Sequence, residues 1–457
     1  MGLIDLILFP VYVIFFYIVF RGLRKKYKDP VLKKYHAQGF WIKVFGAIAF
    51  TIFNGYLSLG DSIGLYHKEG LNIYHLILND SDNLKLLVTK GADFDESLLK
   101  NVYNAGYFKA ESNYLITRMV AMLSFLTFGK YMVTNLVFSM IAFTGVWKLY
   151  LFFYEQYPRL HKQFAIAILY LPTFVFWSSG IMKDTICVAS LGWITYALYE
   201  IFFRKKSFFT NSIILVFFTY LLIVLKVYII ISYVPFFILF IILKNIQSVN
   251  NRSIRYLLAP VLIICCLYGF KRVLNTYSDE LGQYAVNDIT KSIKNSNLAF
   301  ENQADFAQSN FSLGVEFDGT LFGLVKLAPI AMSATLFRPF LWESKKLSTL
   351  LSSLESLIMM MFTLYIICKA GLISCIKMVI KDPLIMYCFL FSIVFALFVG
   401  ASTLNFGTLV RYKIPCLPFY VISLFLIYEK VREKARNKAI LQTPVQVTQE
   451  IGQLLPA

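Results

Sequence analysis

The chain has 457 residues, 58% of them hydrophobic and 15% charged, with 44 Lys and Arg against 26 Asp and Glu for a formal charge of +18. Its apolar residues fall in runs long enough to cross a hydrocarbon core of about 30 Å, which excludes a soluble globular domain and calls for a lipid bilayer. In such a chain the surplus of basic residues belongs to membrane topology, where Lys and Arg collect in cytoplasmic loops, so no nucleic-acid partner is implied.

In chain order, hydropathy predicts an all-α polytopic membrane protein with about eleven transmembrane helices plus interfacial or re-entrant ones. The crossings fall near 2–20, 41–60, 131–153, 164–178, 185–203, 208–225, 227–243, 256–274, 349–368, 383–400 and 412–428. The first run has no basic leader or small-residue cleavage site and reads as a retained helix. Alternate loops carry the positive charge. With the N-terminus outside and the C-terminus inside, residues 21–43, 154–163, 204–206, 244–255, 369–382 and 429–438 hold 24 Lys/Arg against 5 Asp/Glu. The outer loops invert this bias, with 5 against 8 over 61–112 and 2 against 7 over 275–318.

The same parity excludes Leu321–Phe337 as a full crossing. It and Tyr114–Phe128, which carries Arg118, are expected as interfacial or re-entrant helices, with backbone satisfied by protein or a wet cavity on the outer side. Together with an amphipathic stretch over Tyr66–Leu87, Leu321–Phe337 is expected to frame a lateral opening for a lipid. One transmembrane domain over 1–438 follows, with outer loops 61–112 and 275–348 and a cytoplasmic tail over 439–457 that is expected to be disordered. The seven cysteines lie in or beside apolar runs without metal-ligand spacing, so neither a disulfide scaffold nor a zinc site is indicated.

Five clusters of ionisable residues stand at crossing ends, where a charge is costly unless paired or solvated. Asp61, followed by Tyr66, His67 and Glu69, offers a carboxylate able to take a proton from a sugar hydroxyl or to hold a divalent metal; capping a helix explains it equally well. In LPTFVFWSSGIMKD, a short outer turn puts Lys183 and Asp184 at the head of a helix. Lys183 and Asp184 there are candidate substrate-binding residues, with Lys183 able to meet a phosphate; the competing structural reading makes Trp177 an interfacial anchor and Asp184 a helix cap. Lys226, with Tyr228, marks the turn between two crossings of about 17 residues, or snorkels to headgroups. In FRPFLWE, Arg338 presents a planar fork suited to phosphate, with an Arg338–Glu343 pair as the competing reading and Glu355 further on. Arg411 and Lys413 stand at the outer start of the last crossing, against the charge trend, and make the leading anion-site candidate. These cations and acids fall near one depth, a belt able to clamp a lipid-linked phosphate while a carboxylate activates an acceptor.

At these residues the chain resembles the GT-C class of bacterial membrane glycosyltransferases, which take sugars from polyprenyl-phosphate carriers. The resemblance lies in Asp61 at the start of a long outer loop, in LPTFVFWSSGIMKD and FRPFLWE, and in GTLVRYKIPCLPF. It implies Asp61 as catalytic base, carrier-phosphate contacts from Lys183, Lys226, Arg338 and Arg411, and a polyprenyl-phosphate-linked sugar donor. It further implies a glycan, lipid or protein acceptor, and a place in surface polysaccharide or glycoconjugate assembly at the bacterial inner membrane. Two crossings rather than one precede the acidic loop, and Asp61-Ser62 stands where the class often has paired acids, which leaves a divalent metal cofactor open. The oligosaccharide polymerases of O-antigen and capsule assembly are similar in crossing count, outer loop and outer arginines. A lipid-linked oligosaccharide flippase or other transporter, the non-enzymatic alternative, calls for repeated halves and charges at mid-membrane depth.

Overall fold

The computed structural model describes residues 3–57, 60–98, 106–247, 293–294, 310–315, 317–318, 320–344 and 347–442. Among these residues the regular structure is helical, apart from one isolated bridge between Asn310 and Asn405. That is the outcome a bilayer imposes, because each helix satisfies its own backbone polar groups where no water can. The helices are α1 (Leu3–Lys25), α2 (Pro30–Ile52, prolonged by a π turn to Leu57), α3 (Lys68–Asn79), α4 (Glu111–Thr127), α5 (Tyr131–Gln156), α6 (His161–Ile168), α7 (Pro172–Trp177) and α8 (Lys183–Tyr199). They continue with α9 (Phe208–Gln247), α10 (Leu321–Phe337), α11 (Leu347–Ala370), α12 (Leu372–Lys381), α13 (Pro383–Ser402), α14 (Phe406–Tyr412) and α15 (Leu417–Gln442).

Seven helices among the described residues are long and apolar enough to cross a membrane, and an eighth forms if the pair α14 and α15, bent by 63°, is one span. Large apolar side chains such as Ile14 on α1, Val216 on α9 and Ile358 on α11 are exposed, as a lipid-facing surface requires. One of the seven, within α9, runs for 39 residues, about 58 Å at helical rise and nearly twice a hydrocarbon core. At Lys226 its backbone leaves helical geometry, with φ −155° and ψ 77°. Leu215 and Ile223 from one arm and Ile230, Tyr233 and Ile241 from the other line a single apolar pocket of 810 Å³. The arms therefore fold back on each other and meet at Lys226, the arrangement expected for two crossings.

The helix ends sort into two sets. At one end, Tyr154 donates to Asp29, Arg204 pairs with Glu155 at 3.2 Å, Tyr157 donates to Asp382 at 3.2 Å, Lys430 pairs with Asp382 at 2.8 Å and Arg159 pairs with Glu433. These are the segments whose basic excess marks them as one side of the bilayer. The opposite end gathers Asp61, Lys183, Lys226 and Arg411, described below.

Two predicted boundaries are corrected. α2 starts at Pro30, with Asp29 capping it through Val31, rather than near residue 41, so Lys43 is inside the helix and not in a basic flank. The crossing expected over 164–178 is broken into α6 and α7, of eight and six residues. Pro172 supplies no amide hydrogen and holds Leu171 extended, so the helix stops and restarts. The crossing expected at 256–274, most of the loop 275–318 and the tail beyond 442 lie outside the described residues.

The amphipathic segments expected at the surface take distinct courses. α3 and α4 run side by side in the same direction, with Tyr66 bonded to Asn113 at 3.2 Å and the Tyr74 and Phe125 rings 4.8 Å apart. α10 lies antiparallel to α13, where the Thr335 hydroxyl donates to the Ala396 carbonyl at 2.7 Å. Its last turn thus stops at the level of Ala396, about 20 Å short of the start of α13 at Pro383. At 17 residues α10 is among the shorter apolar helices rather than those long enough to cross.

The tightest packing in the core joins α5 to α8. A Cβ at Gly192 would sit 1.9 Å from the Gly145 carbonyl oxygen, and one at Gly145 would sit 2.0 Å from that of Ala189. Small residues here let two backbones touch, which drives helix association in lipid, where the hydrophobic effect does not. Gly192→Val is expected to lower stability by about 1–3 kcal/mol or more through overpacking. A thermal-unfolding series of the purified protein in detergent checks this, with exposed Gly22→Val, whose site is open, as the silent control.

Candidate functional site

The turn between α7 and α8 fixes the head of α8. Lys43, 3% exposed, reaches from α2 and donates to the Ser178 carbonyl at 2.7 Å and to the hydroxyls of Ser178 and Ser179. Asn135 on α5 accepts from the Ile181 amide at 2.9 Å, and Thr185 donates to the Gly180 carbonyl at 2.6 Å. Gly180 lies so close to Phe50 that a Cβ would fall 2.0 Å from the ring. From this pinned turn α8 begins at Lys183, and Asp184, 0% exposed, projects from its first turn.

Asp184 is the hub. One carboxylate oxygen accepts from Lys226, at the break between the two arms of α9, and the other lies 3.3 Å from Arg411 Nε. Arg411, on α14, also reaches Asp61 at 3.4 Å. The Lys226 ammonium sits 3.9 Å from the centre of the Tyr412 ring and 5.9 Å from that of Tyr228. Lys183 donates to Ser112 at the start of α4 at 2.8 Å and has no carboxylate within ion-pair distance among the described residues. Five of the sequence candidates, Asp61, Lys183, Asp184, Lys226 and Arg411, are thus gathered in one place, with Tyr228 at its edge.

Two features of this cluster bear on chemistry. Among the described residues three cations face two carboxylates, one positive charge in excess in a setting where an unmatched charge is costly. Arg411 Nε and its facing Asp184 oxygen form an ion pair outside hydrogen-bond alignment, and neither has a hydrogen-bond partner among the described residues. Asp61 differs from Asp184 in access: its side chain is 39% exposed against 1%. It precedes a π turn over Ser62–His67 and makes no capping hydrogen bond, so the helix-cap explanation for it does not hold. Beside it Tyr107 donates to Tyr66 at 3.1 Å, and Tyr66 in turn to Asn113. Burial pushes the Tyr107 phenol up to about 12 and that of Tyr66 further, so both remain protonated donors.

Arg338, Glu343 and Lys413, expected in the same belt, are placed elsewhere. Glu343 occupies the Arg338 fork in bidentate fashion, with Nε at 3.0 and 3.1 Å from its two oxygens. The guanidinium also donates to the Ser312 carbonyl at 3.2 Å and lies over Phe311 and Phe406. Lys413, 0% exposed, donates to Ser356 at 2.9 Å and to the Arg338 carbonyl at 3.1 Å, while neighbouring Glu355 accepts from the Thr173 amide at 2.8 Å. These groups already fill one another's bonding capacity, so they brace α7, α11 and α14 rather than face a ligand.

Sequence reasoning missed Lys43, Ser112 and Tyr412. Lys43 was read as a basic flank; the signal that could have found it is the apolar, helix-compatible run on both sides of it. Tyr412 was within view as the neighbour of Arg411. The carboxylates do not fit a divalent metal: Asp61 and Asp184 already share Arg411, and among the described residues no group of three or more His, Cys, Asp and Glu is placed to hold an ion. Compared with protein-family models, curated proteins and solved structures, the chain gives no match.

Proposed function

We propose that this chain is a GT-C-like membrane glycosyltransferase that moves a sugar from a polyprenyl-phosphate carrier to an acceptor on the non-cytoplasmic face, in surface polysaccharide or glycoconjugate assembly. The observation that carries this reading is a cluster with one cation in excess and one accessible carboxylate: Lys183, Lys226 and Arg411 around Asp184, with Asp61 at the edge.

The charges balance through the reaction. A polyprenyl-phosphate sugar is a phosphodiester with one negative charge, which the surplus cation matches. The acceptor hydroxyl oxygen bonds to the anomeric carbon from the side opposite the phosphate, the carbon–phosphate oxygen bond breaks, and the hydroxyl proton passes to Asp61. The anomeric centre inverts. Polyprenyl phosphate departs with a second negative charge as Asp61 becomes neutral, which frees Arg411 to turn from Asp61 to the phosphate. Phosphate leaves without a proton, so one base and a cationic clamp suffice. The carboxylates beside Arg411 favour a transferase over an oligosaccharide polymerase, whose outer arginines would flank a cavity without them. A transporter calls for repeated halves and charges at mid-membrane depth; Lys43, buried within α2, is such a charge, but its bonds to the Ser178 carbonyl and two hydroxyls give it a structural role.

The test is transfer by purified protein in proteoliposomes, supplied with polyprenyl-phosphate-linked hexoses and pentoses: sugar-dependent release of polyprenyl phosphate supports the reading, and release from none of the donors refutes it. The site is assigned to the outer face on the charge rule. A single cysteine at Asp80, in a cysteine-free background, is expected to react with an impermeant thiol reagent on intact bacterial cells, and one at Lys434 only after lysis. The reverse pattern would place the site in the cytoplasm.

A further inference from the structure

Apart from the Arg411 cluster, the same end of the molecule carries a polar pocket of 210 Å³, whose lining includes Asp5, Tyr56, Ile63, His67, Lys130 and Tyr131. Tyr56 and Ile63 bracket Asp61 in sequence, so the segment that carries the accessible carboxylate also forms a wall of this pocket. The Ser62 and Tyr131 hydroxyls, 2.8 Å apart, tie that wall to the start of α5.

The lining has a definite chemistry. His67 Nε2 lies 3.1 Å from the Gly129 carbonyl oxygen, which can only accept, so Nε2 bears the hydrogen. Burial holds the imidazole down to about 4, so the ring is neutral and its Nδ1 is an acceptor. Asp5 adds a carboxylate close enough to act on the His67 charge, Lys130 an ammonium donor, and Tyr56 and Tyr131 aromatic faces. Acceptors, donors and aromatic rings around one small space suit a hydroxyl-rich ring with an apolar face. A polyprenyl chain would set apolar carbons against the Lys130 ammonium, and the Asp5 carboxylate disfavours a phosphate. A space of 210 Å³ has room for a pyranose ring.

We propose that this pocket holds one uncharged sugar residue of a glycan acceptor, adjacent to the residue whose hydroxyl Asp61 deprotonates. The proposal rests on the transferase reading above and adds to it the class of acceptor and the residues that grip it. Saturation-transfer NMR on the purified full chain in detergent, with the methyl glycosides of glucose, galactose, mannose, rhamnose and N-acetylglucosamine, tests it. At least one glycoside is expected to receive saturation, and Tyr56→Ala and Lys130→Ala, at exposed or half-buried positions that spare the fold, are each expected to weaken its binding about tenfold. Asp61→Asn should leave the signal in place. No saturation with any glycoside, or a signal that survives Tyr56→Ala combined with Lys130→Ala, overturns the proposal. Polyprenyl phosphate binding, measured on the same preparation, separates the two readings: if it persists while glycosides fail, only the pocket assignment falls, and if both fail the transferase reading falls with it.

Discussion

Asp61→Asn is expected to reduce sugar transfer by about two to four orders of magnitude, the scale of a lost general base, while the protein still folds and binds its carrier. Asn keeps the size of the side chain and one carbonyl oxygen but cannot take up the acceptor proton. Folding should tolerate the change because Asp61 is partly exposed and its ion pair with Arg411, at 3.4 Å, is long. Single-turnover transfer from a polyprenyl-phosphate sugar, run alongside a thermal-unfolding control, separates rate from stability. Transfer at the parental rate would remove Asp61 as the base and bring the polymerase reading forward.

Asp184→Asn should act on the fold instead. Its carboxylate, 1% exposed, faces Lys226 and Arg411 together, so neutralising it leaves two cations with the exposed Asp61 as their remaining acid. Removing one partner of a buried pair costs about 3–5 kcal/mol, because the other charge stays desolvated and unmatched. The arms of α9 meet at Lys226, so their hairpin is the part most exposed to that loss. Adding Lys226→Met to Asp184→Asn should restore much of the stability by removing the stranded ammonium. Chemical denaturation of the single and double variants in detergent measures this. A double variant no more stable than Asp184→Asn alone would show that the pair does not hold α9 to α8.

The parts of this molecule that could be read from sequence are those where local rules suffice. The α9 hairpin was legible because the apolar stretch from Phe208 to Leu243 begins and ends on the basic side, and a lysine in the middle needs a polar end. The contact of Arg338 with Glu343 was legible as a competitor because the two are five residues apart. Arg411 stood out locally by its break with the charge trend, yet its partners Asp61 and Asp184 come from the far side of the sequence, and only packing shows that it faces them while Arg338 is spent on its neighbour. Lys413 was misplaced for the same reason, since Ser356 and the Arg338 carbonyl enclose it. Hydropathy treats a lysine as the edge of a crossing, so it could not show that Lys43 is solvated inside the bundle by a turn remote in sequence. It likewise passed over Pro172, whose missing amide divides an apolar run that averages as one helix.

Binding of the carrier tests the account most directly, since every step of the proposed transfer starts from a phosphate held by the surplus cation. Purified protein in nanodiscs should bind polyprenyl phosphate at least about tenfold more tightly than the uncharged polyprenol, the scale of one charge-assisted contact. Lys183→Gln and Arg411→Gln should each erase most of that difference while leaving polyprenol binding unchanged. Equal affinity for the phosphate and the alcohol, or a preference that survives both substitutions, would contradict it.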